Sequence, residues 1–260
     1  MADADPAAMQ VPPLLELGRL PAVDLSKTHL IENRIVGFNS RDSRSRAFNL
    51  LRTRLVNVLG EHPSPRLVGI TSATPAAGKS FISTNLAMSL AKVAEGPVIL
   101  VDLDLRRGSV AAALGLDATR GGVSDFLEGE AELQDVAVRV SGLPLVVLPT
   151  QVVSHESAEL LVGDRFLGLI NALRRQPANT IVLVDLPPVF ANDDAMLSIG
   201  QLDGFVLVVD STETSKAHVV EAMSMLAPAK CFGTVLNRYA GRMFEKYGYG
   251  SYAYSKYYES

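Results

Sequence analysis

Six short stretches of the chain are apolar at consecutive rather than alternate positions: Leu67 to Thr71, Val98 to Asp102, Leu145 to Leu148, Ile181 to Asp185, Phe205 to Asp210 and Cys231 to Leu236. Runs of this length, rich in Val, Ile and Leu, predict strands of a parallel sheet with helices packed on each face. Other segments have a different period. From Ser43 to Gly60, Phe48, Leu51, Leu55 and Leu59 recur at three- and four-residue steps and a glycine follows, which predicts one amphipathic helix. Ser80 to Val93 repeats the pattern with Ile82, Leu86, Leu90 and Val93, and Asp164 to Arg175 and Ser215 to Leu226 supply two more helices. Strand followed by helix, several times over, predicts a doubly wound α/β fold with a mostly parallel sheet. Pro6, Pro12, Pro13 and Pro21 mark residues 1–40 as a leader that is extended or partly ordered. The domain is expected over 41–238, and 239–260 form a separate tail.

Composition narrows the class. With 260 residues, 48% hydrophobic and 20% charged, the chain can bury one large core. A formal charge of −4 leaves no basic stripe for a duplex, so no nucleic-acid partner is expected. Arg41, Arg44 and Arg46, then Arg52 and Arg54, form the only notable basic cluster and read as a solvated helix face or a contact surface. The one cysteine, Cys231, lies inside an apolar run, so a buried structural thiol and a reducing, cytoplasmic setting are expected. The N-terminus lacks the basic-then-apolar order of a secretory signal, and no run of about 18 apolar residues occurs. Membrane association would therefore need a partner.

The tyrosines are unevenly placed. All seven, Tyr239, Tyr247, Tyr249, Tyr252, Tyr254, Tyr257 and Tyr258, fall in the last 22 residues. There the sequence YGYGSYAYSKYYES has no period of 2 or 3.6 and little but tyrosine to build a core, so an exposed, mobile tail is expected.

The chemistry is concentrated at three strand ends. Leu67 to Ser80 reads LVGITSATPAAGKS, a buried strand, a loop of small residues, then Gly78-Lys79-Ser80 opening a helix. This is the setting of a phosphate-binding loop, in which backbone amides from Thr74, Pro75, Ala76, Ala77 and Gly78 through Phe81 surround the phosphates. Pro75 can contribute only shape, having no N–H. Lys79 would reach the β- and γ-phosphates and the Ser80 hydroxyl would ligate Mg²⁺. Ala73 stands where the usual pattern has its first glycine. The second and fourth strands end in Asp102-Leu103-Asp104-Leu105-Arg106-Arg107 and Asp185-Leu186-Pro187-Pro188. In a parallel sheet these ends meet beside the loop, where carboxylates suit Mg²⁺ and the proton of an acceptor hydroxyl. Asn237 and Arg238 follow the last strand; Asn237 either reads an adenine or simply ends the strand, and the guanine-reading N-K-x-D motif is absent, which favours ATP. His155-Glu156 lacks the second histidine of a zinc motif.

In this order, the phosphate loop, the D-L-D-L-R-R and D-L-P-P strand ends and the tyrosine tail resemble the bacterial tyrosine kinases of capsule and exopolysaccharide synthesis. The resemblance is to the form whose cytoplasmic kinase is a separate chain from its membrane adaptor. It runs from about Ser45 to Tyr258 and includes Gly122-Val123-Ser124-Asp125-Phe126-Leu127 and Ala158-Glu159-Leu160-Leu161. It implies a P-loop NTPase-type fold, ATP and Mg²⁺ as cofactors, and Lys79 and Ser80 on the phosphates and metal. It places Asp104 and Asp185 at the metal and Asp102 near the incoming hydroxyl as base or second metal partner. Tyr247, Tyr249, Tyr252, Tyr254, Tyr257 and Tyr258 are then phosphoacceptors, modified between subunits of a homo-oligomer. The implied partners are a membrane-anchored chain-length adaptor and a cognate tyrosine phosphatase. The chain departs from the family in two places. Ala76 replaces a loop glycine, which strains the loop by about 1 kcal/mol if that position needs φ > 0. Arg46, Asn49 and Arg52 stand where the family carries E-x-x-R-x-x-R for subunit contacts. Two other readings remain: a nucleotide-binding pseudokinase whose tail docks a partner, and a positioning ATPase of the related P-loop group, which has a lysine where this chain has Thr74.

Overall fold

The computed structural model describes residues 15–60, 64–117, 121–151, 154 and 156–239. His155 and the tail tyrosines from Tyr247 onward lie outside the described residues. The strands are β1 (Ala22–Val23), β2 (Arg66–Ser72), β3 (Val98–Asp102), β4 (Val138–Val140), β5 (Leu145–Leu148), β6 (Ile181–Asp185), β7 (Gly204–Asp210) and β8 (Cys231–Asn237). The helices are α1 (Lys27–Glu32), α2 (Ser45–Leu59), α3 (Lys79–Ala91), α4 (Val110–Leu114), α5 (Val123–Glu128), α6 (Leu133–Val136), α7 (Ser157–Val162), α8 (Asp164–Arg174), α9 (Asp194–Ile199) and α10 (Lys216–Leu226).

One eight-stranded sheet runs in the order β1-β4-β5-β3-β6-β2-β7-β8, and every neighbouring pair is parallel except β4 with β5. Successive residues of the inner strands point to opposite faces, so continuous apolar runs feed two cores. Ile99, Val101, Val182 and Val184 join Phe126, Phe166 and Leu169 on the side of α5 and α8, while Val98, Leu100, Leu183 and Ile70 join Phe48, Leu55, Leu86 and Leu90 on the side of α2 and α3. Helices on both faces are what the apolar runs predict.

The edge strand behaves differently. β8 has a neighbour on one side only, and Leu236 at its end is 52% exposed. Cys231, expected to be a buried thiol, is accordingly only half-buried, because the last run pairs with one strand rather than two. Burial still raises the thiol pKa above its usual value.

From Leu15 onward the expected leader is packed on the domain. Leu15, Leu20, Leu30, Ile35 and Val36 are buried, and β1 extends the sheet beside β4. Asn85 of α3 fastens this segment: its Oδ1 accepts from the amides of Val36 (2.8 Å) and Gly37 (3.0 Å), and its Nδ2 donates to Arg34 O and Phe81 O. A side chain at position 37 would stand 2.1 Å from the Asn85 carbonyl oxygen, so only glycine fits there. The segment before α2 thus bears directly on the helix that begins at Lys79.

Candidate functional site

β2, β3 and β6 lie side by side, and their register sets the site: Asp102 is opposite Asp185, and Ile70 is opposite Asp185 from the other side. The chain after β2 then turns through the small residues into α3. Gly78, at φ 93°, caps the helix with no side-chain hydrogen bond, so the first amides of α3 are left for a ligand. A side chain at Gly78 would stand 2.2 Å from the Asn237 amide nitrogen. Ala76 does take φ 60°, the left-handed conformation that an alanine adopts at a cost of about 1–2 kcal/mol. Below the loop, Ser72 O and Ala73 O accept from the amides of Val189 and Phe190, tying it to the segment after Pro187-Pro188. Thr71 Oγ1 donates to Pro187 O at 2.7 Å and reinforces the same tie.

Lys79 is the centre of charge. Its Nζ donates to Asp104 Oδ2 at 2.7 Å, lies 3.2 Å from Ser80 Oγ, and is 3.8 Å from Asp185 Oδ2. Burial works against the ammonium, but Asp185 and Asp104 outweigh it and hold its pKa above the ordinary lysine value. Asp185 is fully buried, and neither of its oxygens has a hydrogen-bond partner. The Ser80 and Ser83 hydroxyls lower its pKa by proximity without completing a bond in this geometry, since Ser83 Oγ donates to Ser80 O at 3.1 Å. Burial dominates, and the Asp185 pKa is raised.

Two buried carboxylate oxygens that make no hydrogen bond and face only the Lys79 ammonium at 3.8 Å are costly, and a divalent cation at this place would satisfy them. Among the described residues no three His, Cys, Asp or Glu side chains stand close enough to hold a metal alone. A cation here would draw its remaining ligands from phosphate and water, as Mg²⁺ does. Ser80, Asp104 and Asp185, the residues expected at the metal, are therefore a fitting set.

Asp102 is where the structure departs most from expectation. Two positions apart, Asp102 and Asp104 would share a face if the strand ran on, but it ends at Asp102 and Asp104 lies beyond it. Asp102 Oδ1 accepts from Asp104 N at 3.1 Å, and its Oδ2 from Ser109 N and Val110 N at 3.0 and 3.1 Å. The carboxylate orders the loop over 103–109 and the start of α4. Burial first, then the charge of Asp185, pushes its pKa up to about 8, against the pull of Val110 N–H and Lys79. In front of it a cleft of about 380 Å³ is lined by Ala76, Lys79, Asp104, Arg107, Pro187 and Asn192 among others, and neither Asp102 nor Asp185 reaches its surface.

Asn237 comes to the loop and Arg238 does not. Asn237 Nδ2 donates to Ala77 O at 2.9 Å and clamps the loop before α3. Arg238, at φ 58°, turns its guanidinium to Asp210, 2.5 Å away. Asp210 also accepts from Thr212, and Thr212 first, with Arg238 in support, lowers its pKa. Phe81 presents its ring to Phe48 of α2 at 5.6 Å between centroids, so only its backbone is left for a ligand. Sequence reasoning missed Asp210 and Thr212, although an aspartate at the end of another central strand was a usable signal. It named Arg106 without a role; the side chain donates to Ser157 Oγ at 2.8 Å and lies 3.8 Å from the buried Asp194. No helix among the described residues is long and apolar enough to cross a membrane.

No family model matches the chain. Among curated proteins, it is 33% identical over 184 residues to the tyrosine-protein kinase YwqD of Bacillus subtilis, covering 70% of this chain and 76% of that one. It is 29% identical over 208 residues to the tyrosine-protein kinase CpsD of Streptococcus agalactiae, covering 79% and 88%. Against the putative tyrosine-protein kinase EpsB of Ralstonia solanacearum the identity is 34%, over 81% of this chain but only 28% of that longer protein. Among solved structures, the kinase domain of Escherichia coli tyrosine kinase ETK superposes with a TM-score of 0.72 at 27% identity, covering 84% of this chain and 88% of that one. The septum site-determining protein MinD from Pyrococcus horikoshii, complexed with Mg-ADP, superposes at 0.54 with 25% identity over 68% and 71%.

Proposed function

Since this chain belongs to the bacterial tyrosine-protein kinases, we propose that its cleft transfers the γ-phosphoryl group of ATP to tail tyrosines, Tyr247, Tyr249, Tyr252, Tyr254, Tyr257 and Tyr258, of a neighbouring copy. The observation that carries this is the Lys79 ammonium, held 2.7 Å from Asp104 and 3.8 Å from Asp185 at the mouth of an open helix N-terminus. A nucleotide would draw Lys79 away from Asp104 onto its β- and γ-oxygens, leaving Asp104 free. Ser80, Asp104 and Asp185 would then hold Mg²⁺, which supplies neutralisation of the developing phosphate charge. The amides of α3 bind the phosphates and exclude water from one side. In the transfer, the bond from the γ-phosphorus to the β,γ-bridging oxygen breaks and one to the tyrosine oxygen forms. The hydroxyl proton passes to the Asp104 oxygen that the metal leaves free, Asp104 being the carboxylate at the cleft surface. Asp102, its oxygens engaged by three amides, acts by ordering the loop that carries Asp104.

The setting follows the family resemblance: a kinase at the cytoplasmic side of the membrane, held there by a chain-length adaptor, reset by a tyrosine phosphatase, and acting in capsule or exopolysaccharide assembly. The test is incubation with Mg·ATP, with and without the adaptor's cytoplasmic segment, read by intact mass. A ladder of increments of about 80 Da that is absent in Lys79→Met is expected; a ladder surviving that change would overturn autophosphorylation.

A second reading, a nucleotide-binding pseudokinase, draws on Ala76 at φ 60° and on Arg52 and Asn49, which bond to Ser89 of α3 within the same chain. Nucleotide binding without any ladder, and a ladder restored by Ala76→Gly, would assign the loss to that residue.

A further inference from the structure

β2, β7 and β8 are neighbours in that order, so a residue at the end of β8 must reach across the end of β7 to touch the loop that follows β2. Asn237 does so. Its Nδ2 donates to Ala77 O at 2.9 Å, and it stands so near Gly78 that a side chain there would lie 2.2 Å from that nitrogen. The peptide between Ala77 and Gly78 is planar and trans, so its C=O and N–H point in opposite directions. With Ala77 O turned to Asn237, the Gly78 N–H is turned away from it. Gly78 sits at φ 93°, and glycine takes positive and negative φ about equally readily, so its own backbone does little to hold this peptide. The Asn237 bond opposes its rotation.

What holds Asn237 is a joint between two strand ends. Asp210 and Asn237 are paired in register as the last residues of β7 and β8, and Ser211 N donates to Asn237 O at 3.0 Å. Arg238, the next residue, stands at φ 58°, a left-handed conformation that its side chain resists. Its guanidinium reaches back to Asp210 Oδ2 at 2.5 Å. Asp210 is buried, and its other oxygen accepts from the Thr212 amide and hydroxyl at 2.9 and 2.7 Å, which makes the carboxylate a fixed anchor. Neither Asp210 nor Arg238 lines the cleft, so any effect they have on a ligand passes through Asn237. We propose that Asp210 and Arg238 are positioning residues for a phosphate site: their ion pair holds the left-handed turn after β8, the turn sets Asn237 on Ala77 O, and Asn237 thereby aims the Gly78 N–H at a phosphate oxygen. The last step rests on the nucleotide reading of the cleft, whereas the first two can be measured without a ligand.

The experiment uses the whole chain. Without ligand, exchange of the Asn237 side-chain amide protons with water is followed by NMR, and Asp210→Ala should speed it about fivefold, the worth of one hydrogen bond. Adding Arg238→Gly to Asp210→Ala should undo most of that gain, because glycine takes the left-handed turn without an anchor. A chain merely destabilised by losing Asp210 would not be repaired by a glycine. Unchanged exchange in Asp210→Ala, or no recovery in the double variant, would overturn the joint. Titration with MgADP then reads the loop. Asn237→Ala and Asp210→Ala should each weaken binding about threefold to fivefold, and the two together no more than the stronger alone, since both act through one bond. A loss in the pair equal to the product of the two would overturn the positioning role. If the native chain binds no MgADP while the exchange rates behave as expected, the phosphate step and the nucleotide reading fall together and the joint stands.

Discussion

Ala76 occupies a left-handed conformation that its side chain resists, with Lys79 three residues on and three carboxylates close to that lysine. Ala76→Gly removes the resistance and adds disorder to the unfolded chain, for a net gain of about 0.5–1 kcal/mol. We expect melting to rise by about 1–3 °C; a fall would mean that the positive φ is not the stable state of the loop. Asp102 has a pH signature. Its folded pKa, about 8, stands well above that of an ordinary aspartate, so the fold holds its proton more tightly than the unfolded chain does. The stability this contributes is complete below the unfolded value and is lost as pH rises towards 8. Asp185, also raised, acts in the same direction. Calorimetry in the presence of a chelator should therefore find the chain several degrees more stable at pH 5.5 than at pH 8, and Asp102→Asn should flatten that slope. An opposite slope would show that the amides facing Asp102 outweigh its burial. The carboxylate types and strand ends were legible in the sequence. What was not legible is which oxygen faces the cleft, because that depends on the path of the loop after Asp102.

At the scale of elements, strands predicted from apolar runs agree with the structure to within about one residue at each end, as Val98 to Asp102 and Ile181 to Asp185 do at both. β1 and β4, of two and three residues, were not legible, since a period of two needs more positions to declare itself. The same holds for α4, α5 and α9: one turn and a half cannot display a 3.6-residue repeat, and these helices depend on packing rather than pattern. The leader was hidden for another reason. Its order comes from distant partners, Asn85 on the amides of Val36 and Gly37 and the core around Leu15, Leu20 and Leu30, which its own composition does not display. Asn85→Ala leaves the buried amides of Val36 and Gly37 without acceptors, at about 1–3 kcal/mol for each. We expect a melting temperature lower by about 5 °C or more and faster tryptic cleavage at Arg34; unchanged cleavage would mean that the segment is held by its buried side chains alone. Arg52 bears on α2 in a similar way. Its bonds to Ser89 O and Oγ turn inward the arginine that the family resemblance assigns to subunit contacts.

For the whole molecule, the proposed autophosphorylation raises the question of which copy would receive the phosphate. Mixing Lys79→Met chains with active chains that lack residues 246–260 separates acceptor from catalyst. Phosphate should appear on the Lys79→Met chain, at a rate that rises with concentration. If intact active chains become labelled at a rate independent of concentration while the mixture stays unlabelled, transfer runs within one chain. The root of the tail bears on this through the bond between Asn237 and Ala77 O, because Tyr239 follows Asn237 by two residues. Thermodynamic reciprocity applies to that joint: if nucleotide binding loosens it, loosening it must favour nucleotide binding by the same factor. One hydrogen bond contributes about 1 kcal/mol, roughly a fivefold change in an equilibrium constant. If nucleotide binding does loosen this joint, the coupling through its one hydrogen bond is limited to about that factor, which would trim the nucleotide equilibrium without gating it.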